Sequence, residues 1–239
     1  MNDTTNPYAS WGTIAAHAET SERAQFIRRT YMHLAAAVAL FVGLEALLLN
    51  SSLAEPMTRT MLGGRWSWLI VMVAFVGVSW LADAWARSAV SKGMQYAGLI
   101  LYVVAQSIIF VPLLYIAQNV GENVLPISAF LTLFIFAGLT GIVFMTGADF
   151  SFLRAGLGLA GLVAMALIVC SILFGFQLGI LFFVVMIAFA GAYILYDTSN
   201  VLHHYRTDQY VAASLALFAS VALMLWYVVQ LVMSLTSRD

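Results

Sequence analysis

The side chains able to do chemistry in this chain are few, and they stand near the ends of apolar runs. Asp197 closes the run 188–196 and is followed by Thr198, Ser199 and Asn200, with His203 and His204 just beyond. Asp83 and Arg87 are four apart, so on a helix they share a face and can pair. Asp149 opens the polar break Asp149, Phe150, Ser151, Phe152, Leu153, with Arg154 next, and Glu45 sits about a turn before the end of another apolar run. A carboxylate in lipid costs about 2.5 to 3.5 kcal/mol at a helix centre and less near an end, so each of these acids needs a partner, water or a function. The chemistry open to such a set is that of charge and protons: an ion-pair lock, a proton-sensitive gate or a docking surface. Catalysis is not expected, because the chain has no His-Glu-x-x-His, no Gly-x-Ser-x-Gly and no Walker loop. His203 and His204 are adjacent and so do not share a helical face, and no thiolate is near them, so no metal or other cofactor is expected. The single cysteine, Cys170, lies in an apolar run and reads as a small buried hydrophobe.

The elements that must position these residues are membrane spans. Of 239 residues, 63% are hydrophobic and 9% charged, against about a quarter charged in soluble proteins, so lipid is the solvent for most of the chain. Ten Lys and Arg against eleven acids leave no basic surface for a nucleic acid. Hydropathy predicts an all-α, polytopic fold with seven spans, at about 31–49, 66–86, 95–117, 124–146, 155–174, 178–196 and 210–235. Trp66, Trp68, Trp80 and Trp85 mark both ends of the second. Residues 1–25 read as a polar cytosolic tail without the apolar core of a cleavable signal, and 26–239 as the membrane domain; Ser21, Glu22 and Arg23 can cap the first helix. Residues 50–65, with Pro56, Gly63 and Gly64, read as a turn-rich loop, and 198–209 as the loop before the last span. Pro112 predicts a kink in span three. Gly138 and Gly141 in span four and Gly156, Gly158 and Gly161 in span five predict closely packed faces. Glu45 is expected to snorkel to the headgroups as a boundary acid, the other reading of it being a transport site.

Seven spans put the termini on opposite sides. With the N-terminus inside, Arg23, Arg28, Arg29, Arg87, Lys92, Arg154 and Arg206 are internal, and Arg59, Arg65 and Arg238 external. The positive-inside rule therefore predicts a cytosolic N-terminus and an external C-terminus. Asp83, Arg87, Asp149, Asp197, His203 and His204 then share the cytosolic face, and Glu45 faces the other way.

Three short motifs carry a resemblance. They are Phe26, Ile27, Arg28, Arg29, Thr30 and Tyr31 before span one; Asp149 to Leu153 before span five; and Ile194, Leu195, Tyr196, Asp197, Thr198, Ser199 and Asn200 with a histidine after them. On these, the chain from about residue 24 to its closing Ser237, Arg238 and Asp239 resembles the Bax-inhibitor-type (TMBIM) membrane family, and within it the bacterial YccA-like branch. The resemblance implies a seven-helix fold with the last helix central. In family members studied as calcium leaks, it implies two hydrogen-bonded aspartates, on helices six and seven, that close a pH-sensitive pore with an arginine near the end of helix two. Asp197 matches the first aspartate and Arg87 the arginine, while Phe218 stands at the position of the second aspartate, as in the YccA-like branch, which lacks it. For that branch the resemblance implies a non-catalytic modulator of the membrane-bound ATP-dependent protease FtsH in the bacterial inner membrane, with HflK and HflC as associates and the N-terminal tail as the handle. The alternative is a pH-sensitive calcium or other cation leak with Asp197 at its mouth.

Overall fold

The computed structural model describes residues 13–88 and 91–237. The start of the expected tail (1–12), Arg238 and Asp239 lie outside the described residues. The described chain forms α1 (Thr20–Leu49), α2 (Ala54–Leu62), α3 (Arg65–Ala86), α4 (Lys92–Val120), α5 (Val124–Thr146), α6 (Leu153–Phe174), α7 (Ile180–His203) and α8 (Tyr210–Thr236). All but α2 are long and apolar enough to cross a membrane, so the protein is an all-α, polytopic membrane protein with the seven expected spans.

Three boundaries differ from expectation, each for a local reason. First, α1 begins at Thr20, within the expected tail. Its 30 residues rise about 45 Å, beyond the roughly 30 Å hydrocarbon core, so its charged first turns project past the lipid. Second, the expected loop 50–65 contains α2. Pro56 lies in its first turn, where a missing N–H costs nothing, and Gly63 is its C-cap; the Arg59 guanidinium also donates to Glu55 at 3.1 Å, one turn back. The residues that signal a turn are here the start and stop of a short helix. Third, α7 runs six residues past Asp197, so Thr198, Ser199 and Asn200 are helical and the loop shortens to 204–209. Between α6 and α7 the chain turns at Gly175, whose φ of 75° only glycine adopts readily.

The last helix is central: α8 packs against α1, α3, α4, α5 and α7. Its equal in burial is α4, and these two are inside for most of their length while the other spans largely face lipid. Edge-to-face rings lock them to α1. The Phe41 ring centroid lies 5.1 Å from Phe110 and 5.9 Å from Phe218, Tyr102 meets Phe218 at 6.1 Å, and Phe110 meets Trp226 at 5.0 Å. Each such pair contributes about 0.5–1.5 kcal/mol beyond its buried area. Pro112 is accommodated inside α4, which continues to Val120.

Two sequence expectations fail here. Glu45 does not snorkel. It is 5% exposed, and neither carboxylate oxygen has a hydrogen-bond partner among the described residues. The cause is rotational: it lies one turn beyond Phe41 on the stripe that α1 turns toward α4 and α8, so its side chain enters the bundle. The glycine faces of α5 and α6 are not closely packed either. A Cβ at Gly138, Gly141, Gly156 or Gly158 would meet nothing, and only at Gly161 would it touch another helix, at Phe189.

The glycine on which a close crossing depends is Gly98 of α4. A Cβ there would stand 2.5 Å from the Ala82 carbonyl oxygen and 2.6 Å from the Ala86 nitrogen. These backbone atoms of α3 flank Asp83, so the crossing fixes where Asp83 and Arg87 stand. Gly98→Ala is expected to lower the melting temperature of the purified protein, at a cost of about 1–3 kcal/mol, whereas Gly138→Ala leaves it nearly unchanged. An unaltered melting temperature for Gly98→Ala would contradict the close α3–α4 approach.

Candidate functional site

The acids and bases read from the sequence gather at the end of the bundle that carries the N-terminal segment, but they form two clusters. The first surrounds Asp197. Arg87, just past the end of α3, donates from Nε to both Asp83 carboxylate oxygens, at 2.9 and 2.8 Å. Asp83 is the main reason that the Arg87 pKa stands above its ordinary value, with burial acting against it. Tyr205, in the α7–α8 loop, packs beside this pair, and burial pushes its hydroxyl up to about 12. Asp197 itself is 8% exposed. Of the partners open to it from the sequence, neither Arg87 nor His203 is hydrogen-bonded to it. Ser220 of α8 donates to its Oδ2 at 2.5 Å. His203 turns away, with Nδ1 3.0 Å from the Ser199 carbonyl of its own helix.

The second cluster is built on Asp149. Its Oδ1 accepts from the Ser151 backbone N–H at 2.8 Å and from the Ser199 hydroxyl at 3.2 Å, and His204 Nε2 stands 3.1 Å from Oδ2. The Phe150 N–H in turn donates to Ser199 Oγ at 2.8 Å. The motif Asp149 to Leu153 is thus a latch between the start of α6 and the end of α7. Phe152 of the motif is exposed, Thr198 is fully buried, and the Asn200 carbonyl accepts from the backbone N–H groups of His204 and Tyr205. The Ser151 N–H, with smaller help from the Ser151 and His204 side chains, lowers the Asp149 pKa to about 2. Asp197 and Ser199 are two residues apart, about 200° around a helix of 3.6 residues per turn, so α7 is held on opposite faces by the two clusters.

Below the first cluster lies a cleft of about 780 Å³ between α3, α4, α6, α7 and α8. Asp83, Arg87, Asp197, Ser220 and Tyr102 stand at one end, Gln106 lies deeper, and Trp68, Phe182, Trp226 and Gln230 line the other. Gln106 is 6% exposed, and its Oε1 has no hydrogen-bond partner among the described residues. Among the described residues no three His, Cys, Asp or Glu side chains converge as a metal ion would need.

A family model described as inhibitor of apoptosis-promoting Bax1 matches residues 23–238. The chain belongs to the Bax inhibitor family. Comparison with curated proteins and with solved structures gives no match. In this Bax inhibitor family protein the α8 residue that faces Asp197 is Ser220. Phe218, aligned from sequence with a second aspartate, lies two positions away and packs between Phe41 and Tyr102. A hydroxyl therefore takes the place across from Asp197, and the carboxylate has a donor as its partner.

Ser220, Tyr205 and Gln106 are the members of the site that sequence reasoning did not select. A serine in an apolar span is a signal, but Ser214, Ser220 and Ser234 compete for it, and α8 is too uniformly apolar to fix its own rotation.

The latch carries a pH expectation. A carboxylate held at about 2, below its ordinary 3.8, adds stability above the ordinary value and loses it as pH falls toward 2. Asp149→Ala is expected to cost about 1 kcal/mol at neutral pH, since the group is partly solvated. In thermal melts the gap from wild type should close as the pH falls from 4 to about 2; a gap that persists at low pH would show that the carboxylate charge is not what holds the latch.

Proposed function

We propose that this protein is a non-catalytic cation leak of the bacterial inner membrane, with its N-terminus cytosolic and calcium as the first candidate ion. The supporting observation is the Asp197 carboxylate, buried at the inner end of a cleft that follows α7 and α8 through most of the membrane and crowded at its mouth by Asp83, Arg87 and Tyr205. A carboxylate inside a bundle is costly unless a pathway or a partner uses it. One neutral serine satisfies one of its oxygens, which leaves the other to attract a cation. Arg87, tied to Asp83 and beside Tyr205, is the plug between Asp197 and the aqueous face.

The protease-modulator reading, with FtsH-type and HflK/HflC-like partners, draws on the resemblance to the YccA-like branch. Residues 13–23 bear on it. The Ala15 N–H donates to the Tyr205 carbonyl and the Thr207 N–H to the Thr13 carbonyl, both at 2.9 Å, and Thr207 Oγ1 donates to Glu22 at 2.6 Å. That segment is committed to the α7–α8 loop, so a handle for a protease would be confined to residues 1–12. The leak is therefore the better supported of the two.

Calcium efflux from proteoliposomes at pH 6 and pH 8 decides between them. Asp197→Asn is expected to lower the flux about tenfold, corresponding to about 1.4 kcal/mol, and Arg87→Gln to raise it several-fold. Wild-type flux no greater than that of empty liposomes at either pH would remove the leak reading. Recovery of an FtsH-type protease with the tagged protein would then make modulation the function to pursue.

A further inference from the structure

We propose that the cleft binds a single-chain cationic amphiphile, a long-chain primary amine, which enters from the lipid between α3 and α6 and sets its ammonium group against Asp197. The proposal goes beyond the cation leak and does not rest on it.

Three observations carry it. The first is a side entrance. α3 and α6 barely touch, and Val76 and Met165, which line the cleft from these two helices, are 52% and 42% exposed. A void that opens between two lipid-facing helices is reached by hydrocarbon without crossing water.

The second is shape. The floor of the cleft runs from Phe182 to Asp197 along α7, about 22 Å at 1.5 Å per residue. One leaflet's chains account for about half of the roughly 30 Å hydrocarbon core, so one chain and its headgroup fit end to end. The volume of about 780 Å³ lies within the range of pockets that enclose small ligands, about 300–1,000 Å³. Away from the Asp197 end the lining is chiefly apolar and aromatic, with Trp68, Phe182, Leu223 and Trp226.

The third is the sign of the unmet polar capacity. Asp83 and Arg87 neutralise one another, which leaves Asp197 as the surplus charge at the head end. Its Oδ2 accepts from Ser220, and its Oδ1 accepts no hydrogen bond from the described residues. The unmet group open to the cleft is the Asp197 carboxylate, an acceptor, so the ligand must bring a donor, an ammonium. A fatty acid or an acidic phospholipid would place like charge beside Asp197.

The test uses the full chain in phosphatidylcholine liposomes and dodecylamine with a photoreactive diazirine at the end of its chain. After irradiation, label is mapped by mass spectrometry. Label is expected on Met186, Trp226 and Tyr227, which line the cleft about a dodecyl chain's length from Asp197, and unlabelled dodecylamine should displace it at about tenfold lower concentration than dodecanoic acid. Asp197→Asn should erase that preference. Ala219→Phe, which fills the cleft from α8, should abolish the cleft label but keep label on Leu159 and Leu162 of the outer α6 surface. If Asp197→Asn does not fold, the amine-against-acid comparison on the wild type decides the headgroup. Label confined to the outer surface would overturn the site, and equal displacement by dodecanoic acid would overturn the choice of a cation.

Discussion

A carboxylate inside an apolar bundle needs a donor, and the hydrogen bond from Ser220 to Asp197 supplies it across the hairpin of α7 and α8. Much of the architecture follows from that bond. It fixes the rotation and register of two helices whose surfaces are otherwise so apolar that packing alone leaves both loosely specified. Once α8 is set, Phe218 faces Phe41 of α1 and Tyr102 of α4, and Trp226 reaches Phe110 one step deeper. In lipid there is no hydrophobic drive between helices, so such polar contacts and close backbone approaches carry the specificity that burial carries in water.

The opposite face of α7 is fixed by different means. Ser199 accepts from the Phe150 N–H and donates to Asp149, and His204 closes on the same carboxylate. The loop that follows is held again by the antiparallel bridge between Ile14 and Arg206 and by the hydrogen bond from Arg23 to the Leu202 carbonyl at 3.4 Å. The last turns of α7 are therefore tied to α8, to the start of α6 and to the N-terminal segment. Tyr205, next to Arg87, sits where these ties meet. A shift of the N-terminal segment would be felt at the mouth of the cleft through a short chain of backbone hydrogen bonds rather than over a distance.

The spans are legible in the sequence because an unbroken run of about twenty apolar residues suits little except a bilayer, and the family is legible because its polar motifs interrupt those runs at set places. What sequence does not supply is rotation. Glu45 reads as a boundary acid from its position near the end of a run, yet its placement on the Phe41 face sends it inward. Gly138, Gly141, Gly156 and Gly158 read as packing faces, yet α5 and α6 turn them toward open space, whereas Gly98, which stands alone, makes the tight crossing. The polar run after Asp197 reads as a helix end because Ser and Asn favour caps and turns; in the fold Ser199 spends its hydroxyl on another element, so the helix goes on to His203. Placing Ser220 opposite Asp197 requires two rotations at once, those of α7 and α8, and no periodicity within an all-apolar helix provides them.

The least constrained wall of the cleft is α6, and its attachments lie at its ends. At one end it is held by the Asp149 latch. At the other it has the tight turn at Gly175 and a 3.4 Å hydrogen bond from Arg65 to the Leu173 carbonyl. Between them its buried side chains are Leu157 and Ala164, the latter packed with Met186 and Tyr227, and Gly161 lies against Phe189. A helix pinned at both ends and lightly packed between them can bow away from α3 at low cost, since few buried contacts are lost. The middle of the cleft is therefore its least tied part, whereas at the Asp197 end Ser220, Arg87 and Tyr205 are each held on a different helix or loop. That division suits a site that must accept variable hydrocarbon while holding one charge in a constant place.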